Sequence, residues 1–365
     1  FYESNGSGVA INDLNGDGLL DIVLGNLDGA NRILWNLGGL EFRVEDFPRP
    51  TGRTHAVQTV DVDADGWIDI IFTSQIGSPQ FWRNNHDETF TLIALDRVLR
   101  PAYTLAWADP DHDGDLDIIT ASYDAELLQL LRDSFLNSGG AGVIYYENTG
   151  DGYAPTRLGD DAQALTLWVS DLNGDGATDL IVGNDFSLPD QSWSYLDGAW
   201  HPAALFETMT FSTMSFDAGD INNDGAFEFF AADMYPAEDT PEVIDAWQYV
   251  LADLDSSPRL PDDRQISQNM LFVPRDDGTL IDYAEAFGVA ATGWTWSSKF
   301  GDLDQDGFLD LYAVNGMASV ELFGHLPNDE LIESNLVFRG SGDHFTPTPE
   351  WGLGSLSGGR GMSMG

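Results

Sequence analysis

The apolar residues of this chain fall into short runs bounded by Gly, Asn and Asp, and the runs recur in a fixed order. Six of them are DIVLGN, DIIFTS, DIITAS, DLIVGN, EFFAAD and DLYAVN, whose length and β-branched or aromatic content predict buried strands. Ahead of each lies a segment of small and apolar residues: GVAIN, AVQTV, TLAWA, LTLWVS, MSFDAG and WSSKFG. Behind each comes a third strand-like segment: NRILWNLGG, PQFWRNN, GVIYYENTG, SWSYLDG, NMLFVPRDDG and NLVFRGSGD. A fourth is fainter, as in EFRVE and FTLIAL. Four short strands in a unit of about 48 residues have the size of a propeller blade. A β-sandwich also uses regular short strands, but it does not repeat one loop at one place in every unit. The pattern predicts an all-β chain, a β-propeller of four-stranded blades forming a single domain over 1–365.

The repeated loop reads D-x-[DN]-x-D-G-x-x-[DE] and starts at Asp13, Asp61, Asp109, Asp171, Asp220 and Asp302, at spacings of 48, 48, 62, 49 and 82 residues. The approximate blades are 1–50, 51–100, 101–160, 161–207, 208–289 and 290–350. The two long spacings predict helical insertions. One covers Ala125 to Arg132 in the third blade, and the other lies within 236–268 of the fifth. In the second, Thr240 can cap a helix, Pro241 suits its first turn, and Val243, Trp247, Val250, Leu251 and Leu254 share one face. That face either packs on the propeller's own rim or meets a partner. The closing SGGRGMSMG is similar to the segment ahead of the first loop, so 351–365 reads as the first strand of a seventh blade. The expectation is a seven-bladed propeller with six complete blades in this chain.

The loop spacing has a chemical logic. A glycine at position six tightens the turn, so that side-chain oxygens at positions one, three, five and nine converge with the backbone carbonyl of position seven. The candidate ligands are Asp13, Asn15, Asp17, Leu19 and Asp21; Asp61, Asp63, Asp65, Trp67 and Asp69; and Asp109, Asp111, Asp113, Asp115 and Asp117. In the later loops they are Asp171, Asn173, Asp175, Ala177 and Asp179; Asp220, Asn222, Asp224, Ala226 and Glu228; and Asp302, Asp304, Asp306, Phe308 and Asp310. Every side-chain donor is a hard oxygen, which selects Ca²⁺ over zinc or copper, and the compact octahedron that Mg²⁺ demands suits the loop less well. Up to six Ca²⁺ are expected, one per loop. The loops at Asp61, Asp109 and Asp302 offer four carboxylates at the four side-chain positions. Asn replaces one of them elsewhere, and the Asp220 loop, with Asn222 and Glu228, is expected to be the weakest. A metal in every blade reads as a staple of the turn; one loop reused to coordinate a partner's carboxylate is the sharper alternative.

Composition narrows the partners. The formal net charge is −46, and Lys299 is the only lysine among 15 basic residues. Such a surface repels phosphate backbones and anionic membranes. Six divalent ions would offset only twelve of those charges, leaving room for a high-salt surface or a cationic partner. With no cysteine there is neither a disulfide framework nor thiol chemistry. No apolar run approaches a membrane span.

At these residues the sequence resembles the FG-GAP and VCBS repeat proteins, calcium-binding propellers, and the cation loops of integrin α-subunits. The stretch Gln268 to Gly316 resembles the bacterial relatives of cartilage acidic protein associated with ASPIC/UnbV segments. The shared elements are Asn269-x-Leu271-Phe272, the Asp277-Gly278-Thr279 turn, Gly293-Trp294, and Asp310-Leu311-Tyr312 with Asn315-Gly316. The resemblance implies a secreted or surface binding protein.

No HExxH, nucleophile elbow, Walker loop or dinucleotide fingerprint is present. His112, at position four of its loop, is expected to be solvated. Trp35, Trp82, Trp107, Trp168 and Trp296 fall at strand positions where blade packing accounts for them, although eleven tryptophans also suit a sugar-binding surface. The leading expectation is a non-enzymatic, extracellular calcium-binding module that binds a protein or glycan at the cell surface. The alternative is a polysaccharide-binding lectin or a polysaccharide-acting enzyme.

Overall fold

Each acidic loop joins the first two of four antiparallel strands that follow one another along the chain. The computed structural model describes residues 7–48, 53–74, 76–131, 141–185, 188–256, 264–275 and 277–364. The first sheet comprises Val9–Asn12, Asp21–Leu24, Arg32–Asn36 and Phe42–Asp46; the second Thr54–Val60, Asp69–Ser74, Gln80–Asn84 and Phe90–Ile93. The third is Thr104–Ala108, Asp117–Ala121, Val143–Asn148 and Tyr153–Gly159; the fourth Ala164–Ser170, Thr178–Asn184, Gln191–Leu196 and Ala199–Pro202. The fifth is Ser215–Gly219, Glu228–Ala232, Met270–Pro274 and Leu280–Asp282. The sixth, Gly293–Gly301, Asp310–Asn315, Leu336–Gly340 and Phe345–Pro347, gains Met234–Tyr235 as an added edge. These are β-propeller blades, six among the described residues. The chain divides between Ala164 and Leu165 into two compact units.

Burial explains which strands are plain in the sequence. Asp117–Ala121 and Glu228–Ala232 are buried at every position, so they read as unbroken apolar runs rather than alternations. The fourth strands are sheet edges, and Phe90–Ile93 is exposed at three of its four positions, so they carry a weak apolar pattern. In the first unit Phe47 stands edge-on to Phe72 at 5.0 Å and to Trp82 at 5.2 Å. In the second, Phe206, Phe216, Phe229 and Phe272 form one aromatic cluster. Trp35 and Trp82 are buried in the core, and Trp107 and Trp168 pack against it half-buried.

The two insertions are helices. The first, α1, is Asp124–Leu131; Arg132 lies outside the described residues. The second, α2, is Pro241–Ser256, and the Thr240 hydroxyl accepts the Val243 amide at 3.4 Å as its cap. The rim reading of α2 fits: Trp247 is completely buried against Trp294, with Val250 buried and Val243, Leu251 and Leu254 packed alongside. The part of the 236–268 insertion at 257–263 lies outside the described residues.

A seventh blade is not established. Residues 353–364 contain no strand. This segment lies on the sixth blade through isolated contacts: Ser355 O accepts the Asn335 amide at 2.9 Å, and the Gly359 amide reaches Asn315 O at 3.3 Å. Arg360 donates to Gly316 O at 2.8 Å and stacks 4.7 Å from the centre of the Trp296 ring, where burial pulls its pKa down to about 10. Rich in Gly and Ser, the segment has little intrinsic strand preference, and it pairs with no strand among the described residues.

Candidate functional site

The six loops adopt one backbone conformation, imposed by left-handed residues at positions four and six. Position six is always Gly, with φ between +84° at Gly18 and +95° at Gly114; position four is Gly16, Ala64, His112, Gly174, Asn223 or Gln305, also at positive φ. This turn points successive amides inward. In every loop the position-one carboxylate accepts the amides of positions five and six, as Asp61 does from Asp65 at 3.0 Å and Gly66 at 2.8 Å. The position-five carboxylate accepts the amide of position seven, so Leu19, Trp67, Asp115, Ala177, Ala226 and Phe308 are each tied to it. Position three accepts the position-five amide in five loops, through Asn15, Asp111, Asn173, Asn222 and Asp304. Asp63 instead faces Arg83 at 2.7 Å. His112 is exposed, as expected from its place in the turn.

Position nine behaves differently. Asp21, Asp69, Asp117, Asp179, Glu228 and Asp310 are all buried at the start of the second strand. One oxygen accepts the amide of position two, as in Leu14, Val62, Leu172, Ile221 and Leu303. The other commonly reaches the third strand, taking the amide of Asn36, Asn84, Asn148 or Gly340, or the Ser194 hydroxyl. Position two of the third loop is Pro110, which has no amide hydrogen; there the Tyr145 hydroxyl donates to Asp117 at 2.5 Å instead. Burial raises all six acids above the usual range, Asp117 to about 6 and Glu228 to about 7. Position nine is thus a structural brace as well as a candidate ligand.

Three acidic clusters place one carboxylate oxygen from each member within 4.8 Å of the others: Asp61, Asp63 and Asp69; Asp109, Asp111 and Asp113; and Asp302, Asp304 and Asp306. They belong to the three loops with four carboxylates. The donor set is all hard oxygen and fits a divalent cation such as Ca²⁺. The Asp109 cluster extends further: Asp115 Oδ1 has no hydrogen-bond partner among the described residues, and its pKa is raised by burial and by Asp113, Asp111 and Asp109. In the remaining loops an Asn side-chain amide donates to a neighbouring acid: Asn15 to Asp17, Asn173 to Asp175 and Asn222 to Glu228.

A second repeated device lies at the other end of the strands. The residue just ahead of a third strand is Asn31, Asp190, Asn269 or Asn335, and each side chain accepts the amide that closes the second strand, from Asn26, Asn184, Asp233 or Asn315. Three of them also bond a Thr of the next blade: Asn31 to Thr54, Asp190 to Thr213 and Asn269 to Thr292. Sequence reasoning missed this brace, although the Asn or Asp heading NRILWN, DQSWSYL, NMLFVP and NLVFRG was its signal.

Burial raises Asp190 from 3.8 to about 7. A raised acid favours folding most at low pH and loses that contribution as pH climbs through the folded value. The stability of the protein relative to an Asp190→Asn variant should therefore fall by about 1.4 kcal/mol per pH unit between about pH 4 and pH 7. Urea unfolding at several pH values checks this, and a flat difference would contradict it.

An FG-GAP-like repeat model matches residues 13–72, 61–120 and 171–231, each match opening on the first aspartate of a loop. The matches together span the loops at Asp13, Asp61, Asp109, Asp171 and Asp220, so FG-GAP-like repeats extend over these five loops. No curated protein matches the chain. Among solved structures, the Aleuria aurantia lectin, described as a six-bladed β-propeller with fucose recognition, is 11% identical with a TM-score of 0.45, covering 99% of this chain and 98% of that one. The V. cholerae biofilm matrix protein Bap1 is 17% identical with a TM-score of 0.37, over 78% of this chain and 40% of that one. An ancestral GH74 enzyme is 11% identical with a TM-score of 0.48, over 94% of this chain and 39% of that one. None reaches a TM-score of 0.5, and no functional property passes from them to this chain.

Proposed function

We propose that this protein is a calcium-binding, non-enzymatic β-propeller of the cell exterior that serves as a protein-interaction or adhesion module. The observation that carries the reading is the six loops of one geometry with oxygen-only donors, three of which bring carboxylate oxygens within 4.8 Å. Positions one, three, five and nine would hold the ion, position nine would also brace the turn onto the third strand, and calcium would supply the charge that lets the carboxylates sit together. Extracellular modules of this kind bind calcium with Kd on the order of 0.1–1 mM, which fills them where free calcium is millimolar and leaves them empty in cytosol. The closer resemblance of Gln268–Gly316 to bacterial relatives of cartilage acidic protein belongs to the same reading.

The test is thermal unfolding of EDTA-dialysed protein titrated with CaCl₂, with MgCl₂ as the control. At ten- to hundredfold excess over Kd, each filled loop should stabilise the fold by about 1.4–2.7 kcal/mol. A melting temperature indifferent to calcium would remove calcium from the loops.

One observation favours the glycan alternative. A groove of about 710 Å³ between the fourth and fifth loops is lined by Asn173, Asp224, Phe227 and Arg275, with Phe227 65% exposed. A glycan array probed in calcium decides between the two: a blank array is expected for a protein-interaction module, and defined sugar binding lost in Phe227→Ala would replace it with a lectin.

A further inference from the structure

The six loops act as controls for one another, and two of them already contain a cation. In the Asp61 loop, Arg83 Nε lies 2.7 Å from Asp63 Oδ2 and Arg83 Nη2 lies 3.2 Å from Asp65 Oδ2. In the Asp302 loop, Arg339 Nε lies 2.8 Å from Asp304 Oδ2 and Nη2 lies 2.6 Å from Asp306 Oδ2. The two guanidiniums grip the same pair of positions, three and five, by the same two nitrogens. They also come from the same place in the fold: each precedes the third-strand residue, Asn84 or Gly340, whose amide donates to position nine.

The third loop with four carboxylates lacks this feature. Asn148, whose amide donates to Asp117, is preceded by Glu147. An acid therefore stands where the other two loops have arginine.

We infer that Arg83 and Arg339 are internal counter-ions that decide which loops take calcium. Resting on the calcium reading above, the inference divides the loops in two. Those at Asp61 and Asp302 are closed by guanidinium and stay folded without metal. The others, Asp109 foremost, depend on the ion. The physical ground is direct competition: a divalent ion entering an arginine-clamped loop must either displace the guanidinium from both carboxylates or sit against its positive charge. The sequence pattern ranks these loops among the strongest sites, with four carboxylates each, whereas their arginines make them the weakest.

Equilibrium dialysis of the full chain against ⁴⁵Ca²⁺, at a free concentration that saturates the open loops, tests this. Four bound ions are expected for the unaltered protein, five for Arg339→Met and six for Arg83→Met/Arg339→Met. Arg32→Met, which loses only the pairing with Asp46, should leave the count at four. Melting in EDTA provides the second readout: the double variant should unfold at lower temperature than the unaltered protein, and calcium should close the gap. Six ions in the unaltered protein, or an unchanged count in the double variant, would overturn the inference while leaving calcium in the loops. No bound calcium in any protein would overturn the calcium reading and with it the selectivity, whereas an EDTA melting difference would still separate the arginines' bracing role from it.

Discussion

Asp310→Ala should lower the unfolding free energy by about 2–6 kcal/mol, with or without calcium. Asp310 is completely buried, and its two oxygens accept the Leu303 amide at 2.8 Å and the Gly340 amide at 2.9 Å. Alanine leaves both amides without a partner in a place that excludes water, at about 1–3 kcal/mol each. The third strand already lies close against the loop there, since a Cβ at Gly340 would fall 2.0 Å from Leu309 O. Asp304→Ala is the informative comparison, since Asp304 is exposed and forms its ion pair with the exposed Arg339 at 2.8 Å, so its loss should cost the apo fold about 1 kcal/mol or less. Urea unfolding in EDTA and in calcium separates the two. Equal effects from both substitutions would show that position nine is an ordinary ligand and no brace.

A loss of similar size is expected from Trp247→Ala, about 3–5 kcal/mol for a fully buried indole. Trp247 contributes in two ways. Its ring packs 5.6 Å from that of Trp294, and its Nε1–H donates to Glu333 at 3.1 Å. Glu333 also accepts the Trp294 amide at 2.7 Å, and burial raises its pKa to about 7. Removing the indole opens a cavity under α2 and strips a nearly buried carboxyl of one of its two donors. Trp247→Phe keeps much of the packing and loses only the hydrogen bond, so it should fall between the two. Circular dichroism at 222 nm would follow α2, and an alanine variant as stable as the unaltered protein would mean that the helix is held elsewhere.

The blade pattern was legible because every repeat makes the same strand–loop–strand connection. The Asp-Gly pair at positions five and six recurs in each loop, and the run after position nine is apolar since both its faces are covered. The helix at 241–256 was equally readable, its cap at Thr240 and its Trp247 face emerging as the spacing implied. The tail does not establish a seventh blade. SGGRGMSMG shares the composition of a first strand, but composition does not supply a partner strand, and the segment settles on the sixth blade by a few bonds and the Arg360–Trp296 stack.

The loops show most clearly where sequence reasoning stops. Spacing alone places oxygens at positions one, three and five in one turn, because these contacts close within a few residues of chain. Position nine as a brace, Arg83 and Arg339 as clamps, and Asn31, Asp190 and Asn269 as links to the next blade's threonines all pair residues brought together by strand register and blade packing. By itself, then, the sequence determined the repeat, its four strands and its oxygen-rich turn, for these are local and periodic. Which acids are buried, which are already neutralised by an arginine, and which stand open to a cation were decided only in the tertiary structure, where third strands bring side chains from 33 residues away, as Arg339 to Asp306, against the loop.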